Sequence, residues 1–313
     1  MHLHSLSLAD FGVGLGAYPA TCINNKDKVW LPWDTATPLN MASLAICHGL
    51  RVPAPASDDE LMKKTLATLE RYNIRAVTSG DSGSLTEVTK WHTASPARII
   101  TAVDFRSPNR GPGSPMFRPV SELRGLVNQG MVKVFAEVAP QYDGMSPADP
   151  ALDPYFALAE ELDIPVGIHM GEGPPGGANV EGYSKYRVRM GDPLLLEDVL
   201  VRHPRLRIYV MHFGSPFVDN VIALLYSYPQ VYVDIAQNDW GFPRKYFYSQ
   251  LRRLVDAGFE KRIMFGSDQM IWPETIDLSI ETVQSADFLS EEQKRDILYN
   301  NAVRFLRMEK TKQ

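Results

Sequence analysis

The sequence predicts an α/β protein: a single (β/α)8 barrel of the TIM type, with long loops at its C-terminal face and a truncated first strand. Three observations predict it: β-rich runs alternate with helix-period runs from Ser57 onward, the length fits one barrel, and histidines fall at strand ends. Alternation of this kind specifies parallel strands joined by crossover helices. A barrel of about 250 residues plus insertions fills residues 1–313 without a second domain.

The chain opens Met-His-Leu-His, so most of a first strand would lie before residue 1, and a trimmed start would also hide any signal peptide. Between His4 and Ser57 lies a stretch rich in Gly, Pro and aromatics, including Trp30 and Trp33, with the length of a lid or interface arm. Ser57-x-x-Glu60 forms a capping box before Leu61, Met62, Leu66 and Leu69. Strands are expected at 74–78, 98–105, 131–138, 164–169, 207–212, 231–235 and 262–266, and a helix at 153–162. Pro193 and Pro216 each sit where a first helical turn would begin. A second long loop spans 171–191. A closing helix, 290–308, carries Glu291 and Glu292 in its first turn and Arg304 and Arg307 near its end, matching the helix dipole.

Composition narrows the function. A net charge of −5 with intermixed signs offers no basic face for nucleic acid. No apolar run approaches the roughly 20 residues that cross a bilayer, so no membrane partner is expected. A small-molecule substrate, a homo-oligomer and a cytoplasmic location are the expectations. Cys22 and Cys47 form no Cys-x-x-Cys pair; composition favours two free thiols, with one bridge as the alternative in an oxidising compartment.

Four of the seven histidines, His2, His4, His169 and His212, fall on or at the ends of expected strands. In an eight-stranded α/β barrel such positions converge on the active face. His2 and His4, two apart, would point to the same side of a strand and share one metal ion, although a disordered terminus would carry the same pattern. His169 ends Ile-Pro-Val-Gly-Ile-His-Met-Gly, and His212 repeats that ending in Arg-Ile-Tyr-Val-Met-His-Phe-Gly. Asp268 follows Arg-Ile-Met-Phe-Gly-Ser, as a ligand or as the N-cap of the next helix. Histidine with carboxylate and no thiolate suits Zn2+ first, with Mn2+, Fe2+ or Ni2+ also compatible. His48, His92 and His203 lie off the strand ends and read as structural.

His-x-His, a strand-five His, a strand-six His and a strand-eight Gly-Ser-Asp resemble the amidohydrolase superfamily. Tyr299 to Leu306, Tyr-x-Asn-Asn-Ala-x-Arg-Phe-Leu, is similar to the ending of its amidohydrolase-related branch, which includes aminocarboxymuconate semialdehyde decarboxylase and pyrone dicarboxylate lactonase. The resemblance spans nearly the whole chain. It implies that His2, His4, His169 and Asp268 hold one divalent metal, with His212 beside it to polarise substrate or move protons. On strand four, Lys133, Phe135 and Glu137 share a face; a lysine or glutamate there bridges two metals in binuclear relatives, so His212 and Glu137 would serve a second metal. Glu137 is preferred as a ligand or substrate contact, and a buried Lys133–Glu137 ion pair is the alternative.

Tyr183, Lys185, Arg187 and Arg189 decorate the strand-five loop, and Trp240 and Trp272 follow strands seven and eight. Arg187, Trp240 and Trp272 are expected at the substrate with Glu137, and bidentate arginine suggests a carboxylated substrate; solvated loop charges are the bland alternative. The expected activity is metal-dependent hydrolysis of an ester, lactone or amide, in which Asp268 takes a proton from an activated water and returns it to the leaving group. Non-oxidative decarboxylation of a small carboxylic acid is the alternative reading, and an inactive metal-binding scaffold the third.

Overall fold

A computed structural model describes residues 1–9, 20–23, 28–80, 85–105, 117–180 and 183–308. Residues 10–19, 24–27 and 181–182, which belong to the two expected long loops, lie outside the described residues. Eight parallel strands form one sheet in chain order: His2–His4, Ala76–Ser79, Ile99–Val103, Val134–Val138, Val166–His169, Ile208–Met211, Val231–Asp234 and Ile263–Met264, numbered one to eight. The backbone beyond strand eight returns to strand one and closes the barrel. Ser267 and Asp268 N–H donate to His2 O at 3.1 and 3.0 Å, and His4 N–H donates to Gln269 O at 2.9 Å. Closure leaves no open edge and sets Asp268 against the His-x-His strand.

Strand one is three residues long and pairs along all of them, with Val77, Thr78 and Ser79. Strand periodicity turns His2 and His4 inward, while Leu3 between them is fully buried under the helices. Inside the barrel Val77, Ala102, Val134, Ala136, Tyr209, Met211 and Met264 pack with Phe305 from the last helix. The outer core is made by apolar helix faces, such as Leu61 and Leu69 of Asp58–Arg71, Val221 and Leu225 of Val218–Ser227, and Leu251 and Leu254 of Arg244–Asp256. A filled interior leaves only the mouth for ligands.

Local signals are met with informative exceptions. Ser57 Oγ accepts from Glu60 N–H at 3.2 Å, but the Glu60 carboxylate takes the N–H of Ala56, at 2.8 Å, rather than that of Ser57. Pro193 opens a short 3-10 turn capped by the Asp192 side chain. Pro216 does not open a helix. A tight turn, with Ser215 N–H on His212 O and Phe217 N–H on Gly214 O, delays the next helix to Val218. The expected closing helix is divided into Glu291–Arg295, a π turn at Asp296–Asn300, and Asn301–Phe305. The wide turn frees Ile297 O to accept Phe265 N–H at 2.9 Å, and buried Asn301 donates Nδ2 to Glu260 O and Ile263 O, each at 2.7 Å. The Tyr299–Leu306 motif thus fastens the last helix to strand eight.

The segment between strands one and two folds over the mouth as two antiparallel pairs, Ala20–Ile23 with Leu50–Pro53 and Val29–Trp30 with Ala45–Ile46. This pairing corrects the expectation of two free thiols: Cys22 and Cys47 are disulfide-bonded, their Cα atoms 5.8 Å apart. Two short hairpin-like pairings bring together residues that spacing alone left unpaired. Among the described residues, no helix is long and apolar enough to cross a membrane.

Candidate functional site

Seven of the eight strands deliver a polar side chain or its support to one end of the barrel. Glu137 sits at the centre. Strand four is irregular between Phe135 and Val138, and the carboxylate that emerges there meets four imidazoles. Glu137 Oε2 lies 3.1 Å from His4 Nε2 and 3.5 Å from His2 Nε2; Oε1 lies 3.2 Å from His212 Nε2 and 3.7 Å from His169 Nε2. Lys133, by contrast, is exposed ahead of the strand, about 13 Å of extended chain away from Glu137. The Lys133–Glu137 ion pair does not form.

Two ligand groups result, each with donor atoms within 4.8 Å of one another: His2, His4, Glu137 and Asp268; and Glu137, His169 and His212. The expected set of His2, His4, His169 and Asp268 is therefore divided, with His169 beside His212 and Glu137 common to both groups. His4 Nε2 stands 3.0 Å from Asp268 Oδ1, yet that oxygen accepts no aligned hydrogen bond, and neither ring nitrogen of His2 makes one. His4 and His212 bond Glu137, but the buried His2 nitrogens and Asp268 Oδ1, crowded against the same groups without a hydrogen bond, point at a shared centre. Nitrogen and oxygen ligands of this kind fit a divalent cation.

Supporting residues fix the rings. Ser79 Oγ meets His4 Nδ1 at 3.1 Å, so Nε2 is the atom turned to the cluster. His212 Nδ1 donates to Ala236 O at 3.0 Å, which does the same for its Nε2. Tyr142 OH lies 3.1 Å from His169 Nε2. Asp234, at the end of strand seven, accepts the N–H of His212 at 2.8 Å and of Ala236 at 3.2 Å through Oδ1, and holds Oδ2 3.5 Å from His2 Nδ1. A carboxylate behind a ligating histidine sets its tautomer and orientation. Backbone geometry concentrates here too: His212, Phe213, Gln237 and Asp268 have φ of 56°, 34°, 65° and 48°. Non-glycine residues in that region cost about 1–3 kcal/mol each and persist where surrounding contacts over-determine them.

Electrostatics follow from burial and proximity. Burial raises the Glu137 carboxyl, but the imidazoles of His2, His212 and His4 against its oxygens and the nearby His169 charge outweigh it and hold the group well below the usual range. Burial lowers His4, yet Asp268 and Glu137 at its Nε2 bring it up to about 10; Glu137, Asp268 and Asp234 likewise bring His212 up to about 10 against burial. Clustered carboxylates demand positive charge, which protons on imidazoles or a divalent cation supply.

A cavity of 1210 Å³ opens above the cluster. Trp240 and Trp272 line it, Trp240 with Nε1 donating to Ser267 O at 2.6 Å. Arg187 does not line it. Its guanidinium is exposed and bonds to the carbonyls of Ser184 and Tyr186. Among the described residues, the lysine and arginine on the cavity wall are Lys28 and Arg51, from the segment that carries the disulfide. Of the residues sequence reasoning passed over, Asp234 and Ser79 each end a strand as His169 does, whereas Tyr142 bears no such signal. His92 and His203 are structural, bonded to Ile99 O and to Asp153.

Similar architectures occur among solved structures. An uncharacterized TIM-barrel protein from Bordetella bronchiseptica is 16% identical, with 82% of this chain and 86% of that one covered and a TM-score of 0.62. A probable 2-pyrone-4,6-dicarboxylic acid hydrolase from Acinetobacter baumannii, with citric acid bound, is 16% identical over 79% and 89%, TM-score 0.55. A 5-carboxyvanillate decarboxylase variant from Novosphingobium aromaticivorans, with bound manganese, is 16% identical over 77% and 80%, TM-score 0.53. At these identities the likeness shows the fold. No curated protein matches the sequence. The amidohydrolase family model matches residues 55–308, from the first long helix to the end of the motif that anchors strand eight, and the chain belongs to that family.

Proposed function

We propose that this protein is a zinc-dependent hydrolase that cleaves an ester, lactone or amide of a small carboxylated molecule. The observation that carries the reading is the convergence of Asp268 and inward-facing histidines on one end of a cavity large enough for substrate. His2, His4, Glu137 and Asp268 would hold one cation, and Glu137, His169 and His212 would serve a second. A cation so held supplies Lewis acidity and brings the pKa of a water down to about 7.

The protein's own groups then act in defined places. Asp268 takes the proton from the attacking water. His212 keeps a proton on Nδ1 for Ala236 O, so its Nε2 carries a second proton only as imidazolium, the form favoured by the flanking carboxylates. With one cation held by His2, His4, Glu137 and Asp268 and none on His212, that Nε2–H is available to a substrate carbonyl oxygen; a second cation on His212 would take its place. Lys28 and Arg51 on the cavity wall would receive the substrate carboxylate, and the buried rings of Trp240 and Trp272 exclude water from one side.

Asp268→Asn keeps the shape of the side chain but removes the base, so turnover should fall by at least about 100-fold while the unfolding midpoint stays close to that of the parent. Unchanged turnover rejects the assignment. Decarboxylation is the second reading, supported by the similar fold of a decarboxylase. Release of CO2 without incorporation of oxygen from labelled water would establish it in place of hydrolysis.

A further inference from the structure

Glu172 lines the cavity three positions beyond His169, in the loop after strand five. It is held to the loop after strand six at two points. Its N–H donates to Ser215 O at 2.9 Å, and Ser215 Oγ donates to its Oε1 at 3.2 Å. The two loops touch backbone to backbone: Gly171 has φ of 98°, and a Cβ there would lie 2.2 Å from Ser215 O. Glycine is required for that approach. The carboxyl is therefore fixed to the turn that carries His212.

Its second oxygen, Oε2, is buried and accepts no hydrogen bond. Among the described residues no lysine or arginine pairs with Glu172; the charged or titratable groups that face it are His212 and Tyr186. A buried carboxyl without a cation keeps its proton, and burial pushes this one up to about 7 against its own backbone N–H, Ser215 and the His212 charge. Glu172 also differs from Asp268 in place. Strand five and strand eight stand three strands apart around the barrel mouth, so the two carboxyls reach the cavity from different sides.

We propose that Glu172 is the proton donor to the departing group, a catalytic residue distinct from Asp268; this rests on the hydrolytic reading above. The water oxygen bonds to the substrate carbonyl carbon as its proton passes to Asp268. The bond from that carbon to the departing oxygen or nitrogen then breaks, its electron pair stays on the departing atom, and that atom takes the Glu172 proton. The products are a carboxylic acid and an alcohol or amine. Asp268 returns its proton to solvent and Glu172 regains one, so the cycle closes without oxidant or reductant.

The test compares wild type with Glu172→Gln and Glu172→Ala on one acyl group joined to leaving groups from nitrophenol to simple alkanols. Metal content and thermal midpoint are measured alongside. An acid is needed only where the departing anion is basic. Glu172→Gln should lose about 100-fold or more in kcat on alkyl esters, and the loss should shrink steadily as the leaving group becomes more acidic. Gln retains the hydrogen bond from Ser215, so a structural role predicts recovery in Gln relative to Ala, and a proton-transfer role predicts none on alkyl esters. An equal loss across the series, or no loss, overturns the inference while leaving hydrolysis standing. If wild type hydrolyses no ester, lactone or amide, the hydrolytic reading itself fails.

Discussion

Asp234 is the sharpest place to separate metal affinity from folding. Its carboxylate is 1% exposed; Oδ1 takes two backbone N–H groups and Oδ2 faces His2 Nδ1 at 3.5 Å. Asp234→Asn can keep the Oδ1 acceptor but sets an amide N–H2 against the His2 ring. Loss of a carboxylate behind a ligand histidine weakens metal binding by about 10- to 100-fold. That is about 1.4 to 2.8 kcal/mol of binding free energy. Asp234→Ala removes the acceptor as well and leaves the N–H groups of His212 and Ala236 buried and unpaired, at about 1–3 kcal/mol each. The Ala variant should therefore lose about 2–6 kcal/mol of metal-free stability, and the Asn variant much less. Competition against a chelator of known affinity reads the first effect, and urea unfolding of metal-stripped protein reads the second. Asn binding metal as tightly as wild type, with the metal-free proteins equally stable, would refute the role given to Asp234.

Metal-stripped protein should show a bounded pH window. His4 and His212, raised from 6.5 to about 10 in the fold, stabilise fully below 6.5 and lose that contribution as pH climbs through 10. Glu137, lowered from 4.5, contributes above 4.5 and loses it as pH falls further. The interaction is shared, so it counts once. Urea midpoints with chelator present should peak between 4.5 and 6.5 and decline on the alkaline side; a midpoint that rises towards pH 10 would contradict the charge balance. Asn301→Ala leaves the carbonyls of Glu260 and Ile263 without their side-chain donor and should cost about 1–3 kcal/mol for each, read by urea unfolding. Reducing Cys22–Cys47 frees a closed loop of 25-residue separation, worth about 3.5 kcal/mol in chain entropy. Hydrogen exchange should quicken in Ala20–Ile23 and Leu50–Pro53 while Ile208–Met211 is unchanged; equal acceleration in both would show that the cross-link supports the barrel itself.

The barrel and its family were legible in the sequence because both depend on local patterns. Period-2 runs that end in His-x-Gly or Gly-Ser-Asp mark strand ends, and strand ends meet at one mouth in any closed parallel barrel. His169, His212 and Asp268 needed no coordinates to be placed there. The helix of 153–162 and the anchoring helix after Ser290 were legible for the same reason, since caps and apolar spacing lie within a few residues of each other.

What only the tertiary structure decided were relations between segments far apart in sequence. An irregularity in strand four swings Glu137 between two groups of histidines, and strand spacing alone could not show that His169 joins His212 rather than His2 and His4. Asp234 acts through its distance to His2, and Glu172 through a contact between two loops that requires Gly171 to have no side chain. Cys22 and Cys47 pair because two antiparallel ladders converge, a matter of register rather than spacing. Periodicity determines which way a residue faces along its own strand, whereas a ligand set depends on distances across the barrel mouth, and those distances exist only once the sheet has closed.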